Sequence, residues 1–211
     1  MITLNAELIT RFKSAIIMGV GALLLTILHP LTFALMVLVG GGIIWKEWFN
    51  LTKGRSIGWF FLGLIYILAA VLSLIYLRNA NLMILLSLFA IVWGGDIAGY
   101  LVGREHGKHK IAPSISPGKS WEGFAASVVV SACIAMVFGY MAPVPHAILG
   151  ALLAAIGLGG DMFESWLKRR AGVKDSGTLI PGHGGLFDRV DALMPCAIVA
   201  AIAFMARNGS L

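Results

Sequence analysis

The chain contains seven apolar runs of the kind that cross a lipid bilayer. A membrane-spanning helix needs about 20 mostly apolar residues, and a sequence that is 59% hydrophobic and 12% charged has too little polar surface to cover a water-soluble globule. We therefore predict an all-α integral membrane protein, a polytopic bundle of about seven transmembrane helices. The predicted spans are Ala15–Leu28, Leu31–Trp45, Ile57–Leu77, Leu82–Val102, Trp121–Met141, His146–Trp166 and Val190–Ala206.

The first two runs are short, and only His29 and Pro30 separate them. They form either a tight hairpin of two spans or one long helix that is kinked at the proline. Lys and Arg collect in cytoplasmic loops. Seven spans with the amino terminus inside place fourteen Lys and Arg residues in the cytoplasm and leave Arg78 and Arg207 outside. If the two runs form a single span, twelve Lys and Arg residues lie in the cytoplasm and four lie outside. The larger asymmetry of the first arrangement favours seven spans.

The two longest polar loops, residues 103–120 and 168–189, are separated by two predicted spans and therefore face the same compartment. We expect this side to be the cytoplasmic side of the membrane, and we expect the functional site in these two loops. The first apolar run is not followed by a small-residue cleavage site, so we expect it to be a retained span. We divide the chain into amino-terminal transmembrane helices, residues 1–81, and a carboxy-terminal catalytic region, residues 82–211.

Several acidic residues lie inside the predicted spans or at their ends, although a carboxylate at the centre of a lone helix costs about 2.5–3.5 kcal/mol. A membrane protein keeps such a residue where a partner, a cavity or a metal stabilises it. Ion pairs are expected for Glu164, which precedes Lys168 by one helical turn, and for Asp191, which lies close to Arg189. They are less expected for Asp161 and Asp188. The full set is Asp96, Glu122, Asp161, Glu164, Asp188 and Asp191.

Glycines flank two of these acids, Asp161 in LGGDMFES and Asp188 in GHGGLFDR, and glycine lets a ligand approach the backbone. A third acid, Asp96, shares a helix face with Gly99 and Gly103, where a second helix can come close. Magnesium usually takes one or two protein carboxylates and fills its other positions with water and phosphate oxygens. Carboxylates beside many cations therefore predict magnesium together with a phosphate ligand.

Basic residues are abundant in both polar loops and can neutralise a polyphosphate. The same excess also fits the topology signal, or attraction to anionic lipid head groups. We expect membrane lipids, and no nucleic acid, as partners. His183 lies between glycines and either binds a phosphate or caps the following helix. The basic loop residues are Lys108, Lys110, Lys119, Lys168, Arg169, Arg170, Lys174 and Arg189.

The segment Ser165–Asp191, SWLKRRAGVKDSGTLIPGHGGLFDRVD, resembles the carboxy-terminal signature of the phosphatidate cytidylyltransferases, also called CDP-diacylglycerol synthases. A second block, Gly95–Gly123, resembles the other cytoplasmic region of this family. The amino-terminal half matches only as apolar helices. Typical bacterial members are longer, so we expect this chain to lack some of their amino-terminal membrane segments.

The resemblance implies that CTP and phosphatidate react to form CDP-diacylglycerol and pyrophosphate. It implies Mg²⁺ as the cofactor, and it leaves a second, monovalent cation and a homodimer open. By the same resemblance, Asp161 and Asp188 hold the metal, Asp96 is an additional candidate ligand, and Lys119 takes part in catalysis. The implied substrate-binding residues are Ser116, Ser120, Lys168, Arg169, Lys174, Asp175, His183 and Arg189.

Three other functions fit parts of the pattern. A cytidylyltransferase that acts on another lipid phosphate would carry the same polar residues. An ion-coupled transporter also has acids and glycines within its helices, but the two GGD segments, at Gly94–Asp96 and Gly159–Asp161, lie two spans apart and give no inverted repeat. A membrane anchor with basic loops explains the positive charge but not the acids inside the spans.

Overall fold

The computed structural model describes residues 19–139, 142–179 and 184–209, and this part of the chain is a bundle of helices with a small β-hairpin. Seven of its helices correspond to the seven predicted runs, which confirms a polytopic helical membrane protein. Five are long and apolar enough to cross a membrane: α2 (Pro30–Leu51), α3 (Ile57–Ala80), α4 (Leu82–His106), α5 (Trp121–Phe138) and α6 (Pro143–Arg170). The shorter elements are α1 (Gly19–Leu28), β1 (Lys110–Ala112), β2 (Ser116–Ser120), α7 (Phe187–Val190) and α8 (Leu193–Arg207).

The first two predicted runs form separate helices that meet at His29. The backbone of His29 is extended, with φ −156° and ψ 144°, and its Nδ1 accepts a hydrogen bond of 3.1 Å from the Leu31 amide. Pro30 occupies the first turn of α2, where its missing N–H has no helical partner to lose. The chain therefore divides into two helices here, as the seven-span alternative requires.

Helix α5 packs closely along α4 on one side and along α6 on the other. A Cβ atom on Gly99 of α4 would lie 3.2 Å from the carbonyl oxygen of Gly123, and one on Gly103 would lie 3.2 Å from Ser120 Oγ. Between the same two helices, Ser131 Oγ donates a 3.0 Å hydrogen bond to the Ile91 carbonyl. The predicted close approach at the Gly99 and Gly103 face is confirmed.

The first polar loop is more ordered than the sequence suggested. Helix α4 continues to His106, and an antiparallel hairpin follows in which Lys110 pairs with Ser120 and Ala112 with Ser116. Arg169 Nε, at the end of α6, donates a 3.3 Å hydrogen bond to the Ile115 carbonyl near the tip of this hairpin. The first polar loop and the start of the second therefore lie on the same side of the bundle, as predicted.

The seventh predicted span, Val190–Ala206, is divided in the structure. Helix α7 ends at Val190 and α8 begins at Leu193, although Asp191 and Ala192 between them keep helical dihedral angles. Pro195 has no N–H to donate to the Asp191 carbonyl, so the regular helical hydrogen bond is missing at this point. The backbone of α6 comes close here, because a Cβ on Gly160 would collide with the Asp191 carbonyl.

The indole of Trp48 fixes the position of α2 in the bundle. This side chain is 1% exposed, packs against the rings of Phe163 and Phe187, and donates a 2.9 Å hydrogen bond from Nε1 to the Trp59 carbonyl. Gly63 of α3 provides the space, since a Cβ atom there would overlap the indole ring. The end of α2 that carries Glu47 is therefore held by rigid aromatic packing.

We predict that Gly63→Ala destabilises the protein, because the added methyl group overlaps the buried indole of Trp48. Overpacking of this kind costs about 1–3 kcal/mol, which thermal unfolding in detergent, followed by circular dichroism, would detect as a lower midpoint. Gly42→Ala is the matched control, because a Cβ atom at that helical position meets nothing within 4 Å. Equal midpoints for Gly63→Ala and the unchanged protein would contradict the packing of α2 on α3 described above.

Candidate active site

Lys119 of β2 links the hairpin to α6 through an ion pair with Asp161. Asp161 also lies 3.4 Å from the hydroxyl of Ser165, which donates to its Oδ1. Lys119 interacts electrostatically with Asp96 of α4 and with Asp191 as well. One cation on the hairpin is therefore paired with Asp161 and is also influenced by the charges of two further carboxylates.

The surroundings of Lys119 favour its charged form. Burial by itself lowers the pKa of the Lys119 ammonium group, but the charge and hydrogen bond of Asp161 outweigh it, and Asp96 and Asp191 act in the same direction. The pKa of Lys119 is therefore raised above its ordinary value. At neutral pH this position holds a permanent positive charge.

Lys168, near the end of α6, forms a second and more deeply buried charge centre. Its Nζ lies 2.7 Å from Oε2 of Glu164 and 2.5 Å from Oδ1 of Asp188. The Glu164 side chain is 1% exposed, and the Asp188 side chain is 5% exposed. The predicted pair of Glu164 with Lys168 is confirmed, and the same lysine ties α7 to α6.

Asp188 is also held by the loop that precedes it. Its Oδ2 accepts hydrogen bonds from the Ser176 amide at 2.8 Å, the Ser176 hydroxyl at 2.9 Å and the Gly185 amide at 2.8 Å. Burial by itself raises the pKa of Asp188, but the bonds from Lys168 and from these loop donors outweigh it, so the pKa lies below its ordinary value. Asp188 is therefore ionised at neutral pH.

The glycines beside Asp188 are explained by the path of the loop around its carboxylate. Gly184 has a φ of +79°, and a Cβ atom there would lie 2.8 Å from Asp188 Oδ2. The sequence suggested that these glycines make room for a ligand; in the structure the carboxylate of Asp188 approaches Gly184, and the Ser176 hydroxyl and the Glu47 carboxylate approach Gly185. Ion pairs were also less expected for Asp161 and Asp188, and this expectation is wrong, because each is paired with a lysine.

Glu47 of α2 belongs to the same loop network, although the sequence analysis did not single it out. Its Oε1 accepts a 2.9 Å hydrogen bond from the Leu186 amide, and its Oε2 accepts from the Phe187 amide at 2.8 Å and from the Ser176 hydroxyl at 3.0 Å. Glu47 is 5% exposed. The available signal was a lone acid in the apolar run WKEWF, at a place where a carboxylate needs a partner.

A cavity of about 510 Å³ opens between α4, α5 and the hairpin, next to the Lys119 centre. Glycines form much of its wall, so the backbone is accessible to a bound molecule. Its charged side chains are the acid Asp96 and three bases. The polar and charged residues of its wall include Asp96, Arg104, Lys110, Lys119 and Ser120.

The remaining predicted site residues lie around these centres. Ser120 caps α5 by accepting a 3.2 Å hydrogen bond from the Gly123 amide. Ser116 begins β2. His183 lies outside the described residues. Exposed positions at the same end of the bundle are Arg169, Lys174, Asp175 and Arg189.

The carboxylates at the two charge centres are of the type that magnesium takes as ligands. Among residues 19–139, 142–179 and 184–209 no group of three or more His, Cys, Asp or Glu side chains is arranged to hold a metal. Magnesium, however, usually takes only one or two protein carboxylates and completes its shell with water and phosphate oxygens. Asp161 and its neighbours already stabilise a cation at Lys119, and the buried Oε1 of Glu164 has no hydrogen-bond partner in the described part of the chain.

Comparison with known proteins identifies relatives for most of the chain. Residues 52–206 match the model of the cytidylyltransferase family. A phosphatidate cytidylyltransferase of Rickettsia felis is 34% identical over 81% of this chain and 80% of the relative, and one of Brucella suis is 42% identical over 66% of this chain and 54% of the relative. One of Haemophilus influenzae is 42% identical over 54% of this chain. The chain thus spans about half the length of the Brucella relative and four-fifths of the Rickettsia relative.

We predict that Lys168→Met strongly destabilises the protein, because it leaves Glu164 and Asp188 buried without their shared cation. Removing one partner of a buried ion pair costs about 3–5 kcal/mol, so the midpoint of thermal unfolding in detergent should fall clearly. Lys174→Met is the control, because Lys174 is exposed. A midpoint that is the same for both variants would show that Lys168 does not hold α7 against α6.

Proposed function

The chain belongs to the cytidylyltransferase family, and we propose that it transfers a cytidylyl group from CTP to phosphatidate, with CDP-diacylglycerol and pyrophosphate as products. Relatives that cover much of the chain are named phosphatidate cytidylyltransferase. The observation that carries the proposal is the Lys119 centre: Lys119 and Asp96 line the cavity between the helices, and Lys119 is paired with Asp161. Such a site accommodates a water-borne nucleotide beside a lipid head group.

The proposed reaction needs no Ser or Cys nucleophile. A phosphate monoester oxygen of phosphatidate attacks the α-phosphorus of CTP, a new P–O bond forms, and the bond to pyrophosphate breaks with its electron pair leaving on pyrophosphate. The main barrier is that two anions must meet in line, so catalysis consists of positioning and charge neutralisation. Arg104, Lys110 and Lys119 line the cavity and supply positive charge there.

We propose Mg²⁺ as the cofactor, held by Asp161 and Asp188, with Asp96 as an additional ligand. Bound magnesium neutralises the phosphates of CTP and stabilises the charge that develops on the leaving pyrophosphate. The three loop donors engage Oδ2 of Asp188, whereas Oδ1 faces Lys168, so Oδ1 is the oxygen that would reach the metal or a water bound to it. Oε1 of Glu164 is the buried oxygen best suited to a second, monovalent cation.

Polar residues of the hairpin, of the end of α6 and of the second polar loop have proposed roles in substrate binding. Ser120 and Ser116 on the hairpin would donate hydrogen bonds to phosphate oxygens, and Asp175 would orient a lysine or the ribose. The ammonium group of Lys168 would contact either Asp188 or a substrate phosphate. The further phosphate-binding candidates are Arg169, Lys174, His183 and Arg189.

The proposed location is the inner membrane of the cell, with the site facing the cytoplasm, where CTP is available. The excess of Lys and Arg at this end of the bundle supports the orientation. Access for the lipid is supported by the outward face of α4 beside the cavity, since Ile97 is 61% exposed, Tyr100 64% and Leu101 53%. Phosphatidate could then reach the cavity sideways from the bilayer.

We predict that purified protein in detergent micelles transfers label from CTP into phosphatidate, releases pyrophosphate and loses this activity when magnesium is removed. Asp161→Asn should lower turnover by about 10²-fold or more, because it removes a charge next to the reacting phosphates. Glu105→Gln is the matched control, since Glu105 is exposed and lies outside both charge centres.

Three outcomes would contradict the proposal or a part of it. Full activity of Asp161→Asn would remove Asp161 from the metal site. Label that enters another lipid phosphate monoester, but not phosphatidate, would retain the cytidylyl transfer and change the substrate. Absence of transfer to every lipid phosphate offered, by correctly folded protein, would overturn the proposed function.

A further inference from the structure

We propose that Glu47 of α2 is a positioning residue that holds the Asp188 loop in the conformation needed for turnover. The loop in question is the described segment 184–188 together with Ser176. The effect on turnover rests on the proposed function, whereas the effect on the loop does not. Glu47 lies outside residues 52–206, the part that matches the family model.

The first support is that Glu47 satisfies backbone groups of the loop. Both carboxylate oxygens are used: Oε1 accepts from the Leu186 amide, and Oε2 accepts from the Phe187 amide and the Ser176 hydroxyl. These bonds are 2.8–3.0 Å long and link residues that are 129 to 140 positions apart. The Glu47 side chain thus ties the loop to α2.

The second support is that Ser176 connects Glu47 directly to Asp188. The Ser176 hydroxyl lies 3.0 Å from Glu47 Oε2 and 2.9 Å from Asp188 Oδ2. It has a single proton and can donate to only one of these oxygens at a time. The Ser176 amide donates to Asp188 as well, at 2.8 Å. A shift of Glu47 would therefore move the donors that orient Asp188.

The third support is that the loop is shaped to receive this side chain. A Cβ atom on Gly177 would lie 2.8 Å from Glu47 Oε1, and one on Gly185 would lie 2.6 Å from Oε2. Both positions therefore exclude larger residues while Glu47 is in place. On the other side, Trp48 is fixed in the core next to Glu47, so the carboxylate is presented from a rigid helix.

We would test the proposal with Glu47→Gln, which keeps the size of the side chain but places an NH₂ group opposite one of the N–H or O–H donors. Hydrogen exchange of the peptide covering residues 184–188 should become faster than in the unchanged protein. The magnesium concentration needed for half-maximal transfer should rise, or turnover should fall, by about 10- to 100-fold, the range seen when groups that orient a metal ligand are removed. Glu105→Gln is the matched control and should change neither quantity.

A merely structural role would lower the amount of folded enzyme without changing the magnesium requirement or the turnover of each folded molecule. Ser176→Ala gives a second measurement if Glu47→Gln folds poorly, and it should shift the magnesium requirement or the turnover in the same direction. Unchanged exchange in segment 184–188, or faster exchange with unchanged magnesium dependence and turnover, would overturn the proposal. If the unchanged protein transfers no label, the proposed function fails and the role in turnover falls with it, while the exchange result still decides whether Glu47 holds the loop.

Discussion

The site depends on the ion pairs that the buried ammonium group of Lys168 forms with two carboxylates. This ammonium group lies at the end of a membrane-spanning helix and is shared by Glu164 of that helix and Asp188 of the following loop. Lys168 contacts only Oδ1 of Asp188, and the loop amides and Ser176 supply the donors to Oδ2. The hydrogen bonds to Asp188 therefore both order this loop and favour the ionised form of Asp188.

Close helix packing decides where the polar cavity can form. Glycines on α4 bring α5 so near that the two helices meet through backbone atoms, as at Gly99 and Gly123. The cavity lies beside this contact, and the hairpin borders it where Lys119 pairs with Asp161. Glycines of both helices line the cavity, and charged residues such as Asp96 and Lys119 set the chemistry that it can support.

The sequence was informative where one local rule determines the outcome. The helices follow from hydropathy, and the pair of Glu164 with Lys168 follows from helical spacing. The hairpin was missed because a three-residue strand and SPGKS carry little β-propensity. The pair of Lys119 with Asp161 joins distant parts of the chain, and no spacing rule reaches so far. Glu47 was missed because its partners are mostly backbone amides, which have no signature in the sequence.

The long separation between Glu47 and its partners has a consequence for biosynthesis. Leu186 follows Glu47 by 139 residues, so at a synthesis rate of about 5–20 residues per second the partner appears roughly 7–28 s later. During this interval α2 carries an acid whose loop donors have not yet been made. The helices can therefore assemble early, while the charged end of the bundle closes only after most of the chain has left the ribosome.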